Sequence, residues 1–285
     1  MRAKIAYLSM VIAVAALSAF GQQAPDTPKP SDIYCSGVIT KPAARYDTYI
    51  ISGEQSNRKI TFAEGDLVYI NKGSRQGVKV GDEYLVTRAV YEYLNYPWFA
   101  LQMSLMRAMG TRYADLGRLR VVHVQPEVAV AQIVSSCDYM QRGDAVWPFA
   151  ERPVPVMKTD VNVDRFAPAS TKKKAMIVTT KYFGQEAGTN SIVYVNLGSE
   201  QGVRVGDYFR VFRYQGIRNE TAYQTPGMAY KMYGFDTAPR SYKWDALPRE
   251  ILGEGIVLRV GANASTVLLT VSLREIYVGD YVELE

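Results

Sequence analysis

The chain has 285 residues, of which 33 are Lys or Arg, 28 are Asp or Glu and one is histidine, so its formal charge at neutral pH is +5. This mild charge is scattered along the chain and argues against nucleic acid as a partner. With one histidine and two cysteines, the chain shows no zinc-binding spacing and no Ser-His-Asp or Cys-His arrangement, so we predict no metal and no cofactor.

The first residues have the pattern of an export signal. Arg2 and Lys4 precede an apolar run of about 15 residues, and Gly21 closes a small-residue cleavage site. A membrane-spanning helix needs about 20 apolar residues, so we predict a signal peptide over residues 1–21 and cleavage after Gly21. An uncleaved anchor is the alternative. The mature, periplasmic or otherwise exported chain would then begin with a polar leader, residues 22–31, and have no integral membrane span.

The most informative feature is an internal repeat. Residues 68–88 and 193–213 are identical at 13 of 21 positions without a gap. A period above 100 residues indicates tandem domains rather than a solenoid. We therefore predict two modules, residues 32–148 and 173–285, separated by a proline-rich linker over residues 149–172.

Each copy has the pattern of a small β module. Short runs rich in β-branched and aromatic residues, such as Leu67–Asn71 and Ile192–Asn196, alternate with turn residues about every 8 to 12 positions. The predicted fold is mainly β, with two tandem small β-barrel-like modules, each carrying an insert. The Gly and Asp residues of the two motifs lack the oxygen spacing of a calcium loop and are predicted to form structural turns: Gly73, Gly77, Gly81, Asp82, Gly198, Gly202, Gly206 and Asp207.

The first insert, residues 89–115, contains the one helix that the pattern predicts for the mature chain. Pro97 suits a first helical position, and apolar residues follow at helical spacing. This helix is expected either to cover an open end of its barrel or to bind a partner or a membrane surface, because Met- and Trp-rich faces make adaptable contacts. The candidate partner-binding residues here are Trp98, Phe99, Met103 and Met106.

The second insert, residues 214–251, is longer and rich in aromatic residues, which lie among Gly, Pro and Arg. Long loops in compact domains are often functional. These rings could stack on sugars, contact a protein partner or pack on one another. The candidate binding residues are Tyr233, Phe235, Tyr242 and Trp244.

The two cysteines, Cys35 and Cys137, both lie in the first copy. An exported chain reaches an oxidising compartment, so a disulfide between them is the default prediction. Two free buried thiols are the alternative, and redox chemistry is a third possibility.

The motif from Tyr69 to Asp82, and its copy at 194–207, resembles β modules of bacterial envelope proteins. Similar modules form the C-terminal domain of the flagellar assembly protein FlgT and the region after LysM modules in exported peptidoglycan-associated proteins. The cell-shape protein MreC has a similar strand-turn motif. The resemblance covers about 60 residues per copy. It implies scaffolding or partner binding rather than catalysis, although the chain has no LysM motif.

The leading functional prediction is a non-enzymatic envelope scaffold or adaptor that binds protein partners through its inserts. A peptidoglycan- or carbohydrate-binding module that uses the aromatic insert is the alternative. A glycan hydrolase is a minor alternative, because such an enzyme needs only two well-placed acids. It ranks low because the acids that occur in both copies all lie in predicted turns.

Overall fold

The computed structural model describes residues 26–55, 57–91, 97–159, 162–215 and 247–285. The predicted signal peptide and the aromatic residues Tyr233, Phe235, Tyr242 and Trp244 lie outside these ranges. No helix within the ranges is long and apolar enough to cross a membrane.

The described part of the first module contains nine strands. They are β1 (Val38–Thr40), β2 (Ile50–Gly53), β3 (Thr61–Phe62), β4 (Leu67–Ile70), β5 (Glu83–Val90), β6 (Thr111–Val124), β7 (Ala129–Ser136), β8 (Met140–Gln141) and β9 (Ala145–Pro148). The main sheet has the order β2-β4-β7-β6-β5-β9, and β1 also pairs with β6. A single antiparallel bridge between Tyr49 and Ala145 brings the two ends of this sheet together.

The second module repeats this order in a closed barrel. Its strands are β10 (Lys174–Thr180), β11 (Glu186–Ala187), β12 (Ile192–Val195), β13 (Tyr208–Arg213), β14 (Glu250–Val260), β15 (Ser265–Ser272), β16 (Ile276–Tyr277) and β17 (Tyr281–Leu284). The barrel order is β10-β12-β15-β14-β13-β17, and pairing of β10 with β17 closes it. The predicted mainly-β fold with barrel-like modules is therefore confirmed.

The helices differ in detail from the prediction. Helix α1 (Pro30–Tyr34) was not expected, and it begins inside the segment predicted as a leader. The carboxylate of Asp32 accepts a hydrogen bond from the backbone N–H of Lys29, 3.0 Å away, which satisfies a donor at the start of the helix. Helix α2 (Gln102–Met109) lies in the first insert, as expected, but begins five residues after Pro97.

The residues common to both copies perform the same local tasks. The side-chain oxygen of Asn71 accepts a hydrogen bond from the Tyr49 N–H at 2.8 Å, and that of Asn196 accepts one from the Met176 N–H at 2.7 Å. Each Asn thereby joins the end of one strand to the start of another. The residues predicted as turns lie between β4 and β5 or between β12 and β13: Gly73, Gly77, Gly81, Asp82, Gly198, Gly202, Gly206 and Asp207.

The turn after each Asn explains the Gln-Gly pair of the motif. In the first copy, Gln76 Oε1 accepts a hydrogen bond from the Gly73 N–H at 2.9 Å. One turn of 3-10 helix then ends at Gly77, whose φ of +86° suits glycine because a side chain would be strained there. The second copy has the same turn, with a φ of +90° at Gly202.

The two cores are separate and apolar. The largest cluster of the second barrel includes Phe209 and Val211, and that of the first module includes Val68 and Val86. These positions alternate along their strands, which explains the period-two pattern of the sequence. The repeat thus encodes two cores of the same design.

The two modules nevertheless pack closely against each other. Ile33 of α1 packs against the outer face of the second barrel, in a cluster with Tyr208, Ile256 and other residues. The Tyr194 hydroxyl of the second module donates a hydrogen bond to the Ser36 carbonyl at 2.8 Å. The predicted linker also lies against the second module, where the Lys158 N–H donates to the Tyr208 hydroxyl at 2.7 Å.

The backbone of the first module comes close to Gly261 of the second module. A Cβ atom added there would lie 2.1 Å from the carbonyl oxygen of Ile39, in β1. Gly261→Ala is therefore expected to lower the free energy of unfolding by about 1–3 kcal/mol, as overpacking usually does. Urea unfolding followed by tryptophan fluorescence would measure this loss. Gly188→Ala is the control, since nothing lies within 4 Å of an added Cβ there, and equal stabilities of the two variants would contradict the prediction.

Candidate functional site: the cleft between the two modules

Three hollows lie between the modules and share lining residues, and we call the three together the intermodule cleft. Its polar end has a volume of about 460 Å³, its middle about 230 Å³ and its apolar end about 390 Å³. Lys181 and Tyr182 line both the polar end and the middle. Arg112 and Phe183 line both the middle and the apolar end.

Helix α2 forms one wall of the apolar end and is held against the second module. Gln102 is fully buried, and its side-chain amide donates a hydrogen bond to the Val178 carbonyl at 2.8 Å. At the end of the helix, Met109 is buried in a cluster with Val178 and Tyr194. The first insert therefore packs across the module boundary, which neither alternative of the sequence analysis anticipated.

The four described partner-binding candidates have different environments. Met103 and Met106 line the apolar end of the cleft. Phe99 is 5% exposed, and a Cβ added at Gly279 of the second module would lie 3.2 Å from its ring. Trp98 is half-buried. The structure thus brings the two methionines to the cleft and places Phe99 in a packing contact between modules.

Arg112 lies where the middle and apolar parts of the cleft meet. The side chain is 7% exposed and donates hydrogen bonds to the carbonyls of Thr180, at 3.2 Å, and Lys181. Its guanidinium carbon lies 4.1 Å from the ring centroid of Phe183 and 4.8 Å from that of Tyr194, within cation–π range. Its Nε atom is buried without a hydrogen-bond partner among the described residues.

The polar end of the cleft contains the predicted disulfide. Cys35 and Cys137 are bonded, and both line this hollow. The loop after β10 lines the same hollow with Lys181 and Tyr182. The Lys181 ammonium lies 4.9 Å from the ring centroid of Tyr182, and the Tyr182 side chain is 82% exposed. The disulfide prediction is confirmed.

A buried charge cluster lies beside the middle of the cleft and joins the modules. The Asp115 carboxylate, 1% exposed, accepts two hydrogen bonds of 2.8 Å from Arg152. It also contacts Arg259 of the second module, at 3.2 and 3.3 Å, and accepts a hydrogen bond from the Gly37 N–H at 2.9 Å. Burial lowers the pKa of Arg259 below its ordinary value, against the opposing effect of Asp115. Such a cluster fixes the relative position of the two walls.

The hydroxyl of Tyr194, between the modules, also has a perturbed environment. Burial raises its pKa above the ordinary value, while the nearby charge of Arg112 opposes this shift. The hydroxyl therefore stays neutral at physiological pH and serves as the donor to Ser36.

The aspartates directly before β9 and β17 are part of the framework of each module. Asp144 forms a two-pronged ion pair with Arg88, with both contacts at 2.7 Å, and Asp280 forms the same pair with Arg213. His123 is exposed on β6. In the described ranges, no group of three or more His, Cys, Asp or Glu residues could hold a metal ion. The cleft is thus suited to binding through apolar surface, aromatic rings and positive charge.

Two of the residues that shape the cleft carried no sequence signal. Arg112 occurs at the start of a strand, and Phe183 occupies a short loop with a φ of +59°. Neither belongs to a motif, and they meet only because the modules pack together. Comparison of the chain with models of protein families and with curated proteins found no match.

Proposed function

We propose that this chain is an exported, non-enzymatic adaptor of the bacterial envelope that binds a protein partner in the intermodule cleft. The observation that carries the proposal is the apolar end of the cleft, where Met103, Met106 and Phe183 line an open hollow. The envelope setting rests on the signal-like N-terminus and on the resemblance of the repeated motif to envelope β modules. The disulfide agrees with an oxidising compartment.

The cleft walls favour binding because they are preorganised. Asp115 and Arg259 join the modules through a buried ion pair, and Gln102 fixes α2 to β10. A partner that enters such a cleft does not have to order the walls, so less of its interaction free energy is lost on binding. The methionine side chains leave room for adjustment to different apolar groups.

Recovery of partners from crosslinked envelopes tests the proposal. Met103→Gln would place a neutral polar group in the apolar end, and the recovered partner is expected to fall about tenfold, which corresponds to about 1.4 kcal/mol of binding free energy. Ile60→Gln is the matched control, because Ile60 is 76% exposed and lies outside the cleft lining. Thermal unfolding of both variants would verify that they fold.

Purified sacculi assayed in parallel separate this function from the glycan-binding alternative. Protein recovery that is equal in the two variants would contradict the cleft as the binding site. Binding to sacculi without any protein partner, and its loss on replacement of Tyr242 and Trp244, would favour the carbohydrate-binding module.

A further inference from the structure

We infer that the apolar end of the cleft recognises an extended peptide segment in which apolar side chains are followed by a carboxylate. This inference rests on the proposed function, because it specifies the chemistry of the partner segment. The apolar end is lined by the apolar residues Tyr91, Met103, Met106 and Phe183 and by the charged residues Arg107 and Arg112, and no Asp or Glu of the described ranges is among its lining residues.

The positive charge at this end is not neutralised within the described part of the chain. Neither Arg107 nor Arg112 forms an ion pair with a described carboxylate. Asp115 lines the neighbouring middle hollow, but it is already shared by Arg152 and Arg259. Burial of an arginine without a carboxylate is unfavourable. A ligand carboxylate near Arg107 and Arg112 would offset this cost.

The two arginines have different positions relative to the solvent. Arg107 is exposed on α2 and would meet an approaching anion first. Arg112 is buried, with its guanidinium near the Phe183 and Tyr194 rings and its Nε atom without a partner among the described residues. Guanidinium groups favour carboxylates because their N–H donors match the two oxygens. The geometry thus provides an outer and an inner positive group for one anion.

The shape of the cleft favours a peptide over a lipid. A hollow of about 390 Å³ is within the range of small-molecule sites, so it accommodates a few side chains. The other hollows of the cleft have polar lining groups, including Ser136, Asn190 and Ser191 at its polar end. Hydroxyl and amide groups can form hydrogen bonds with the N–H and C=O groups of a peptide backbone. An acyl chain has no such groups, so the polar hollows would not bind it.

Fluorescence anisotropy with the purified full chain tests this inference directly. Two pools of fluorescein-labelled hexapeptides, amidated at the C-terminus so that the only carboxylates are in side chains, would each have four positions randomised among Leu, Ile, Val, Met and Phe. The last two positions would be Asp or Glu in one pool and Asn or Gln in the other. We expect the acidic pool to bind at least about tenfold more tightly, and this preference to shrink as salt is added, since the charges lie near solvent.

Arg107→Gln should remove most of the preference for the acidic pool. Arg107 is exposed, so the variant is expected to fold, and Arg58→Gln provides an exposed control outside the cleft. Equal binding of the two pools, no binding of either pool, or binding only to phosphatidylglycerol vesicles would overturn the inference. The Met103→Gln recovery experiment would still decide the proposed function separately.

Discussion

Asp115→Ala is expected to lower the free energy of unfolding by about 3–5 kcal/mol, the usual cost of removing one partner from a buried ion pair. The substitution leaves Arg152 and Arg259 close together, with side chains only 11% and 23% exposed, and without their carboxylate. It also removes the acceptor of the Gly37 N–H. Because Arg259 belongs to the second module, the loss includes the contact that fixes the cleft walls.

Urea unfolding of the variant and of the unmodified chain would measure this effect. Glu127→Ala is the matched control, since Glu127 pairs with Arg75 at the surface and both side chains are at least 67% exposed. Exposed pairs contribute about 0–1 kcal/mol, so the control should unfold at nearly the original urea concentration. A similar small change in both variants would show that the Asp115 cluster contributes little to the joining of the modules.

The repeat was sufficient to predict the modules but not their arrangement. Asn71 and Asn196 are identical because both fix the same strand junction, so comparison of the two copies identifies them. The interface has the opposite property. In the alignment of the copies, Arg259 corresponds to His123, which is exposed, and Asp115 corresponds to Ile251. The two modules contact each other through different faces, so the interface residues of one copy have no identical counterpart in the other. A comparison of the two copies therefore cannot detect these residues.

The first insert shows the same limit for the candidate site. The helical spacing of apolar residues predicted α2, and Met103 and Met106 do line the cleft. Periodicity alone could not distinguish a face that covers its own barrel from one that packs across a boundary. The packing of α2 across the boundary involves Gln102, a polar residue at a fully buried position. Its side-chain amide donates a hydrogen bond to the Val178 carbonyl of the other module. Such a long-range hydrogen bond leaves no periodic pattern.

Replacement of both cysteines, Cys35→Ser with Cys137→Ser, is expected to lower the free energy of unfolding by about 3–5 kcal/mol. The bond joins residues 102 positions apart, and in the chain-entropy model a loop of about 100 residues corresponds to about 4.7 kcal/mol, an amount that residual structure in the unfolded chain reduces. The double variant avoids a single unpaired thiol.

Loss of the disulfide is also expected to affect the cleft, because of where the bond lies. Cys35 directly follows α1, whose Ile33 packs on the second module, whereas Cys137 follows β7 of the first module. The bond therefore ties a segment docked on one module to the body of the other, at the polar end of the cleft. We expect peptide affinity to fall together with stability in the double variant, because the walls would be less well ordered.

Reduction provides the control for both effects. Dithiothreitol should shift the urea midpoint of the unmodified chain to that of the double variant and leave the variant unchanged. An unmodified midpoint that does not respond to complete reduction, verified by thiol titration, would contradict the prediction. Since cytosolic thiols are kept reduced, the same experiment compares the stability of the chain in a reducing and in an oxidising compartment. A large difference would mean that the cleft reaches its full order only in an oxidising compartment, where the proposed partner would be bound.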